Sequence, residues 1–418
     1  MHIIGIIGEY NPIHLGHIYQ IKKAKEQYPN SIIILITNAT FTQRGEVSIL
    51  NKWDKTSICL ENNIDIVVEL PFAFATQSAD IFAKNAIKIL NYLKIDTLIF
   101  GSESNDIEKI IKIAKTQLEN PNYDEIVTKY LSQGNNYPTA MSKALIDILG
   151  YTITEPNDLL AISYIKEIIK NKYPITPISI KRIGNYHDKK INNNINIINA
   201  SLIRNLFLNH SDISSYIAPN TQKYLYQNLS NENYFPYLKY KILTTKDLSI
   251  YQTVDEGIEN RIKKYIYKSN NWEELVKNIK TKRYTYNKIN RMLIHILTSF
   301  TKEEAQNLEI NYLRILGFNQ TGKKYLNKIK KTLTIPMITH YKKNISPLLD
   351  LELRAASIYY LPINPQKIYE EFQTKPIIKD AVTINKSDIH LQNEANSKIK
   401  SKDQQNQKKY LDKHKSNN

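Results

Sequence analysis

Ile3-Ile4-Gly5-Ile6-Ile7 is a β-branched apolar run that begins almost at the first residue, and its brevity and composition predict a buried parallel strand rather than a helix. After a loop through Asn11-Pro12, residues Gly16 to Glu26 predict a helix, Ser31 to Ile36 a second strand, Ile64 to Val68 a third and Ile95 to Phe100 a fourth. Strands alternating with helical stretches predict an α/β fold, a doubly wound parallel sheet with right-handed crossovers. Ligands of such sheets sit beyond the C-terminal ends of the strands. Ile178-Ser179-Ile180 predicts a last strand and Asn199 to Leu208 a short helix, which closes an N-terminal domain over residues 1–210. From there the spacing turns helical. Asn260 to Tyr267, Trp272 to Ile279, Tyr286 to Thr298 and Gly322 to Thr332 carry apolar residues three and four apart between basic ones, predicting a mainly α-helical domain over 211–380. In 381–418, Asn, Gln, Lys and Ser dominate and large apolar residues are few, so this tail is expected to be disordered.

Charge changes the picture next. Lys+Arg 57 against Asp+Glu 40 leaves a net charge of +17 over 418 residues, which favours polyanionic partners. The chain is also rich in Ile, Asn, Lys and Tyr, a bias that genome base composition can impose, so part of the charge carries no message. A 42% hydrophobic and 23% charged composition excludes wholesale disorder, collagen-like and membrane-embedded classes. No apolar run approaches the ~20 residues that span a bilayer, and Met1-His2-Ile3-Ile4-Gly5 lacks the basic start of a signal peptide. The expected location is the cytoplasm, with no membrane contact. Cys59 is the only cysteine, which excludes an internal disulfide and any cysteine-based zinc cluster.

The chemistry concentrates in Gly8-Glu9-Tyr10-Asn11-Pro12-Ile13-His14-Leu15-Gly16-His17, a strand end, a proline turn and a helix start. Unpaired N–H groups and the positive dipole end make a helix N-terminus attractive to phosphate. Histidines three apart in the first turn point the same way, and each can donate to phosphate oxygens. Gly16 between them lets a flat purine or ribose lie against the backbone. The arrangement suits attack at the α-phosphate of ATP; a pair of surface histidines beside a turn is the alternative.

The strand, Asn11-Pro12 and His14-x-Gly16-His17 together resemble the ATP site of the HxGH nucleotidylyltransferase superfamily. Further motifs follow in the order of one branch, the tRNA(Met) cytidine acetate ligase family. They are Phe41-x-Gln43-Arg44-Gly45-Glu46, Lys52-Trp53, Glu69-Leu70-Pro71, Gln77-Ser78-Ala79, Phe100-Gly101-Ser102-Glu103, Pro156-Asn157, Lys181-Arg182 and Ala200-Ser201-x-Ile203-Arg204. Glu256 to Arg261, Lys282-Arg283-Tyr284-Thr285 and Arg314 to Asn319 continue the match, so the resemblance covers residues 1 to 360. Ile13 and Leu15 depart from the family's more usual Phe and Asn, and Thr37-Asn38-Ala39-Thr40 replaces a Ser-Gly-Asn run. Both histidines stay in place.

The resemblance implies an ATP-binding segment Ile7-Gly8-Glu9-Tyr10-Asn11-Pro12-Ile13-His14-Leu15-Gly16-His17-Ile18-Tyr19-Gln20, with Gly101, Asn157 and Arg182 completing the pocket. Each has a plainer reading from the residues alone. Gly101 follows a strand and is equally a turn glycine; Pro156-Asn157-Asp158 is a common helix start, with Asn157 as its cap; Arg182 is one more surface arginine. Ser201 is expected to cap a helix, with Arg204 facing the β- or γ-phosphate; a solvated helix is the alternative. Gln43 to Glu46 shapes the ligand edge or is an exposed loop, and Glu69 holds a basic residue or a metal-bound water. The histidines show no metal-ligand spacing, so the metal expected is magnesium arriving with ATP and none is held by protein ligands alone. Lysines, arginines and tyrosines interleave in the helical segment, where Lys282, Arg283, Arg291, Lys323 and Lys324 are candidate RNA contacts.

The activity implied is an ATP-dependent ligase. Acetate attacks the α-phosphate, with His14 and His17 as catalytic residues, and the acetyl group passes from acetyl-adenylate to the wobble cytidine of elongator tRNA(Met), giving N4-acetylcytidine. No Ser-His-Asp or reactive-cysteine constellation is evident for an acyl-enzyme. Two rivals use the same residues: a small-molecule adenylyltransferase acting on a phosphorylated cofactor precursor, which needs no basic helical domain, and a noncatalytic RNA-binding protein.

Overall fold

Isoleucine and valine dominate the central strands, because a parallel strand covered by helices on both faces has no solvent side. β1 (Ile3–Ile7), β2 (Ile32–Asn38) and β3 (Ile66–Leu70) are buried almost throughout. β4 (Thr97–Ser102) and β5 (Thr176–Lys181) join them in the order β5-β4-β1-β2-β3, all parallel. This computed structural model describes residues 1–183, 197–226, 229–342 and 345–379; the polar tail expected over 381–418 lies outside them. The fold is the expected doubly wound α/β sheet. The third and fourth strands start two residues later than the apolar pattern predicts. Ile64 and Ile95 are buried but stand ahead of the hydrogen-bonded ladder, so hydrophobicity marks the core there rather than the pairing.

The helices at Ile258–Ile266, Trp272–Ile279, Tyr286–Leu297 and Gln320–Ile329 stand where the spacing placed them. The same segment also returns β6 (Leu313–Phe318) to the sheet, antiparallel to β3. Two short strands, β7 (Met337–Ile338) and β8 (Ile377–Ile378), pair with β6. Residues 1–380 consequently form one compact unit. β6 is apolar apart from Arg314 and lacks strand-period alternation, and its pairing partner lies some 250 residues upstream, so no local pattern marks it.

Glu69 belongs to the core that this return strand completes. Its carboxylate accepts from Lys52 Nζ at 2.8 Å and faces Arg314 of β6 at 3.5 Å. Glu371 meets both cations, at 2.5 Å from Lys52 and 3.1 Å from Arg314. All four side chains are at most 2% exposed. Glu352, nearby, accepts from Phe72 N–H at 2.5 Å, and burial reinforced by the Glu69 charge raises its pKa. Of the two roles open to Glu69, holding a basic residue is the one seen.

Candidate active site

β1, β2 and β3 step outward in one direction, and β4 then returns to the other side of β1. The chain leaves β1 and β4 toward opposite sides, and the divergence opens a crevice at their C-terminal ends, the usual ligand position of such sheets. A cleft of about 560 Å³ lies there. Of the sequence-predicted residues, Ile7, Gly8, Glu9, Tyr10, Asn11, His14, His17, Gln20, Gly101, Asn157, Arg182, Ser201 and Arg204 line it. Gly16 and Tyr19 line an adjoining recess. Pro12, Ile13, Leu15 and Ile18 line neither: Ile13 is fully buried, Ile18 packs on the same core, and Leu15 N–H is bonded to Tyr216 O at 2.9 Å. They brace the loop whose polar residues face the cleft.

The two histidines are arranged as a reciprocal cap on helix α1 (Leu15–Gln27). His14 is the N-cap residue rather than part of the first turn. Its Nδ1 accepts from Gly16 N–H at 3.0 Å, and His17 Nδ1 accepts from His14 N–H at 3.2 Å. Each ring's acceptor is thereby occupied, which assigns the proton to Nε2 and leaves an N–H donor on each ring. The rings stack with centroids 3.7 Å apart, and Tyr10 flanks His17 at 4.2 Å. Burial lowers the His14 pKa to about 3, helped by Arg182 and Arg204. Burial, then His14, Arg182 and Lys55, hold His17 well below its ordinary range. Both rings are neutral donors in the ligand-free protein.

Arg182 and Asn157 converge on a carboxylate that their own sequence context does not reveal. Asn157 Nδ2 donates to Glu103, and Arg182 Nε lies 3.7 Å from the same Glu103 oxygen. Asn157 is not the helix cap, since Glu155 holds that position with no side-chain cap. Gly101 is more than a turn residue: a Cβ there would lie 3.2 Å from Arg182 Cγ. Asp158, fully buried, accepts from Ser102 Oγ, Glu103 N–H and Ser104 N–H and shapes the loop after β4.

Arg204 donates to Asn11 O at 2.8 Å, Glu46 at 2.5 Å and Ser201 Oγ at 3.2 Å. Ser201 was expected to cap this helix, but Asn199 does so by accepting from Leu202 N–H at 2.9 Å. Asparagine reaches the cap geometry from outside the helix, whereas Ser201 already lies inside it. The Thr42–Glu46 loop is neither exposed nor independent. Gln43 N–H donates to Glu9 at 2.5 Å, Arg291 donates to Gln43 O at 3.0 Å and Asn231 donates to Gly45 O at 2.9 Å. Lys55, fully buried on α2 (Lys52–Glu61), donates to Glu9 O, Asn38 O and Asn38 Oδ1, and desolvation lowers its pKa to about 8. Its position one turn into α2 carries no sequence signal for this role.

The basic candidates divide. Lys282 and Arg283 are exposed just before the helix Tyr286–Leu297, whose Asn287 lines the cleft. Arg291 is drawn inward against the Gln43 loop, and burial lowers its pKa to about 10. Lys323 and Lys324 stand at the other end of the sheet: β6 runs antiparallel, so the helix after it starts beside Asp65, ahead of β3.

Comparison with known proteins agrees with this geometry. The family model described as HIGH Nucleotidyl Transferase matches residues 1–375. The tRNA(Met) cytidine acetate ligase of Geobacillus sp. (strain WCH70) is 36% identical over 402 residues, 91% of this chain and 100% of that protein. The protein of the same name from Bacillus subtilis (strain 168) is 34% identical, over 87% of this chain and 93% of its own. The crystal structure of Thermotoga maritima TmcAL in its apo form superposes with a TM-score of 0.84 at 26% identity, covering 91% of this chain and 100% of that one. The same protein bound with alpha-thio ATP gives 0.82. An HxGH cap at the switch point of a doubly wound sheet, a basic helical segment folded against it and this likeness along nearly the whole chain place the protein in the tRNA(Met) cytidine acetate ligase family, within the HIGH nucleotidyl transferases.

Proposed function

We propose that this protein activates acetate with ATP and transfers the acetyl group to the wobble cytidine of elongator tRNA(Met), forming N4-acetylcytidine with release of AMP and diphosphate. The observation that carries the reading is the reciprocal cap of His14 and His17 at the N-terminus of α1, between β1 and β4, whose occupied Nδ1 atoms leave each neutral ring an Nε2–H to donate. Acetate is a poor acyl donor, and an exocyclic cytosine amine is a poor nucleophile, so adenylation must precede transfer. As the acetate oxygen bonds to the α-phosphorus and diphosphate leaves, negative charge grows on the phosphoryl oxygens. His14, His17 and the α1 N-terminus donate to it, and preorganised donors of this kind each contribute about 3 kcal/mol. Arg182 and Arg204, held by Glu103 and Glu46, flank the path of the departing diphosphate. Gly16 and Gly101 leave room for the nucleotide against the backbone. Magnesium enters bound to the ATP phosphates; among the described residues no group of three or more His, Cys, Asp or Glu side chains could hold a metal ion.

Lys282 and Arg283 extend the cleft's rim with positive charge for the tRNA backbone. The cytoplasm, where the tRNA is, is the place of work. Incubating purified protein with ATP, radiolabelled acetate and elongator tRNA(Met) transcript, then analysing nucleosides by mass spectrometry, tests the reading. Acetylcytidine at the wobble position that depends on all three components is the expected result. Absence of label in RNA, with folded protein that binds ATP, shifts the assignment to a small-molecule adenylyltransferase.

A further inference from the structure

A carboxylate in a cleft built to receive phosphate requires an explanation. Glu46 lies against Arg204, Glu103 lies against Asn157 and Arg182, and Asp158 is saturated by Ser102 to Ser104. Each of these acids orients something. Glu9, at the C-terminal end of β1, lines the same cleft and differs from them. Its Oε1 accepts one hydrogen bond, from Gln43 N–H at 2.5 Å, and none of the ion pairs among the described residues includes it. The charges around it are Arg44, Glu46 and Lys55, and its own charge reaches the phenol of Tyr164. Phe82, Phe100, Leu160 and Tyr164 line the cleft as well, a largely apolar wall suited to a flat heterocycle.

The chemistry that fits a fixed carboxylate beside such a wall is an amine-bearing base. A carboxylate accepts from cytosine N4, whereas uracil presents a carbonyl oxygen at that position and is repelled. We propose that Glu9 receives the N4 amine of the target cytidine, accepting its hydrogen bond and then taking its proton as that nitrogen bonds to the acetyl carbonyl carbon. The N4–C bond forms, the bond from the carbonyl carbon to the AMP oxygen breaks, AMP leaves with the electron pair, and the N4 proton passes to Glu9 and on to solvent. Burial raises the Glu9 pKa, which strengthens it as a base. This assignment rests on the ligase reading above.

The test separates the two half-reactions in the full-length chain. Hydroxylamine is nucleophilic enough to trap acetyl-adenylate as acetyl-hydroxamate without a base; N4-acetylcytidine in tRNA(Met) reports the transfer. For Glu9→Gln, which keeps an acceptor for Gln43 N–H, the ratio of acetylcytidine to hydroxamate is expected to fall by about 100-fold or more. Glu9→Asp keeps the carboxylate but withdraws it by one methylene, and is expected to fall about tenfold in the same ratio. A ratio within threefold of the unsubstituted protein in either variant, whether both products persist or both decline together, overturns the assignment. If the unsubstituted protein traps hydroxamate but never acetylates tRNA(Met), the ligase reading itself fails and Glu9 loses its substrate with it.

Discussion

His17 Nδ1 takes the backbone N–H of His14 at 3.2 Å while His14 Nδ1 takes that of Gly16 at 3.0 Å, so each ring is locked by the helix start it serves. One set of bonds caps α1, fixes both tautomers and sets the direction of both Nε2–H donors. Truncating either ring removes a donor and loosens the other.

His17→Ala is expected to lower acetate-dependent ATP–diphosphate exchange by about 100-fold or more, the loss typical of a deleted oxyanion donor. Affinity for tRNA(Met), measured by filter binding, is expected to stay within about threefold, because the exposed basic residues lie on the helical segment outside the cap. Equal loss of both in folded protein would contradict the division.

Gly45 joins the two halves of the chain by steric fit. Its φ is +72°, and a Cβ there would stand 2.3 Å from Arg291 N and 2.4 Å from Asn290 C, both backbone atoms that cannot rotate away. Gly134 has φ +84° with nothing within 4 Å of its Cβ position. Gly45→Ala is expected to cost more than about 2 kcal/mol in urea unfolding and Gly134→Ala only about 1 kcal/mol, the backbone penalty alone.

Glu69 sits between Lys52 and Arg314, and all three side chains are at most 2% exposed. Glu69→Gln leaves two buried cations with Glu371 as their one remaining ion-pair partner among the described residues, so the expected loss of stability is about 3–5 kcal/mol. Combining it with Arg314→Met is expected to restore part of that loss, read as a coupling term in a double-mutant cycle of urea midpoints.

Acid weakens the fold through the capping histidines. In the unfolded chain each takes up a proton below its ordinary pKa near 6.5, whereas folded His14 does so only near pH 3 and His17 stays neutral well below 6.5. The unfolded state binds more protons in that window, so stability is fully present above about pH 6.5 and declines as pH falls toward 3. The slope is at most about 1.4 kcal/mol per pH unit per site. Urea midpoints at pH 7.5 and 5.0 are expected to differ in this sense, and His17→Asn is expected to reduce the difference.

Charge reversal distinguishes the two basic clusters. The double change Lys282→Glu and Arg283→Glu is expected to weaken tRNA binding by about tenfold or more and to lower the salt slope by about two. The pair Lys323→Glu and Lys324→Glu, at the opposite end of the strands, is expected to act weakly by comparison. Titrations at several salt concentrations measure both.

Much was legible along the chain because it depends on neighbours in sequence. The β-branched runs declare buried strands, the three- and four-residue spacing declares helices, and Asn11-Pro12 with His14 and His17 declares the loop between a strand and a helix N-terminus. The single buried Cys59 needed no structure to be set aside as a disulfide partner.

Tertiary structure alone decided what each polar side chain meets. Asn157 reads as a cap and instead holds Glu103; Ser201 reads as a cap while Asn199 does the capping; Arg291 reads as a surface cation and instead braces Gln43. Glu69 and Arg314 are 245 positions apart and become one buried cluster only because β6 returns beside β3. Secondary structure is a local balance of backbone geometry and apolar spacing, so a sequence can state it. A carboxylate's partner is set by long-range pairing of strands and helices, and no window of the chain contains both members.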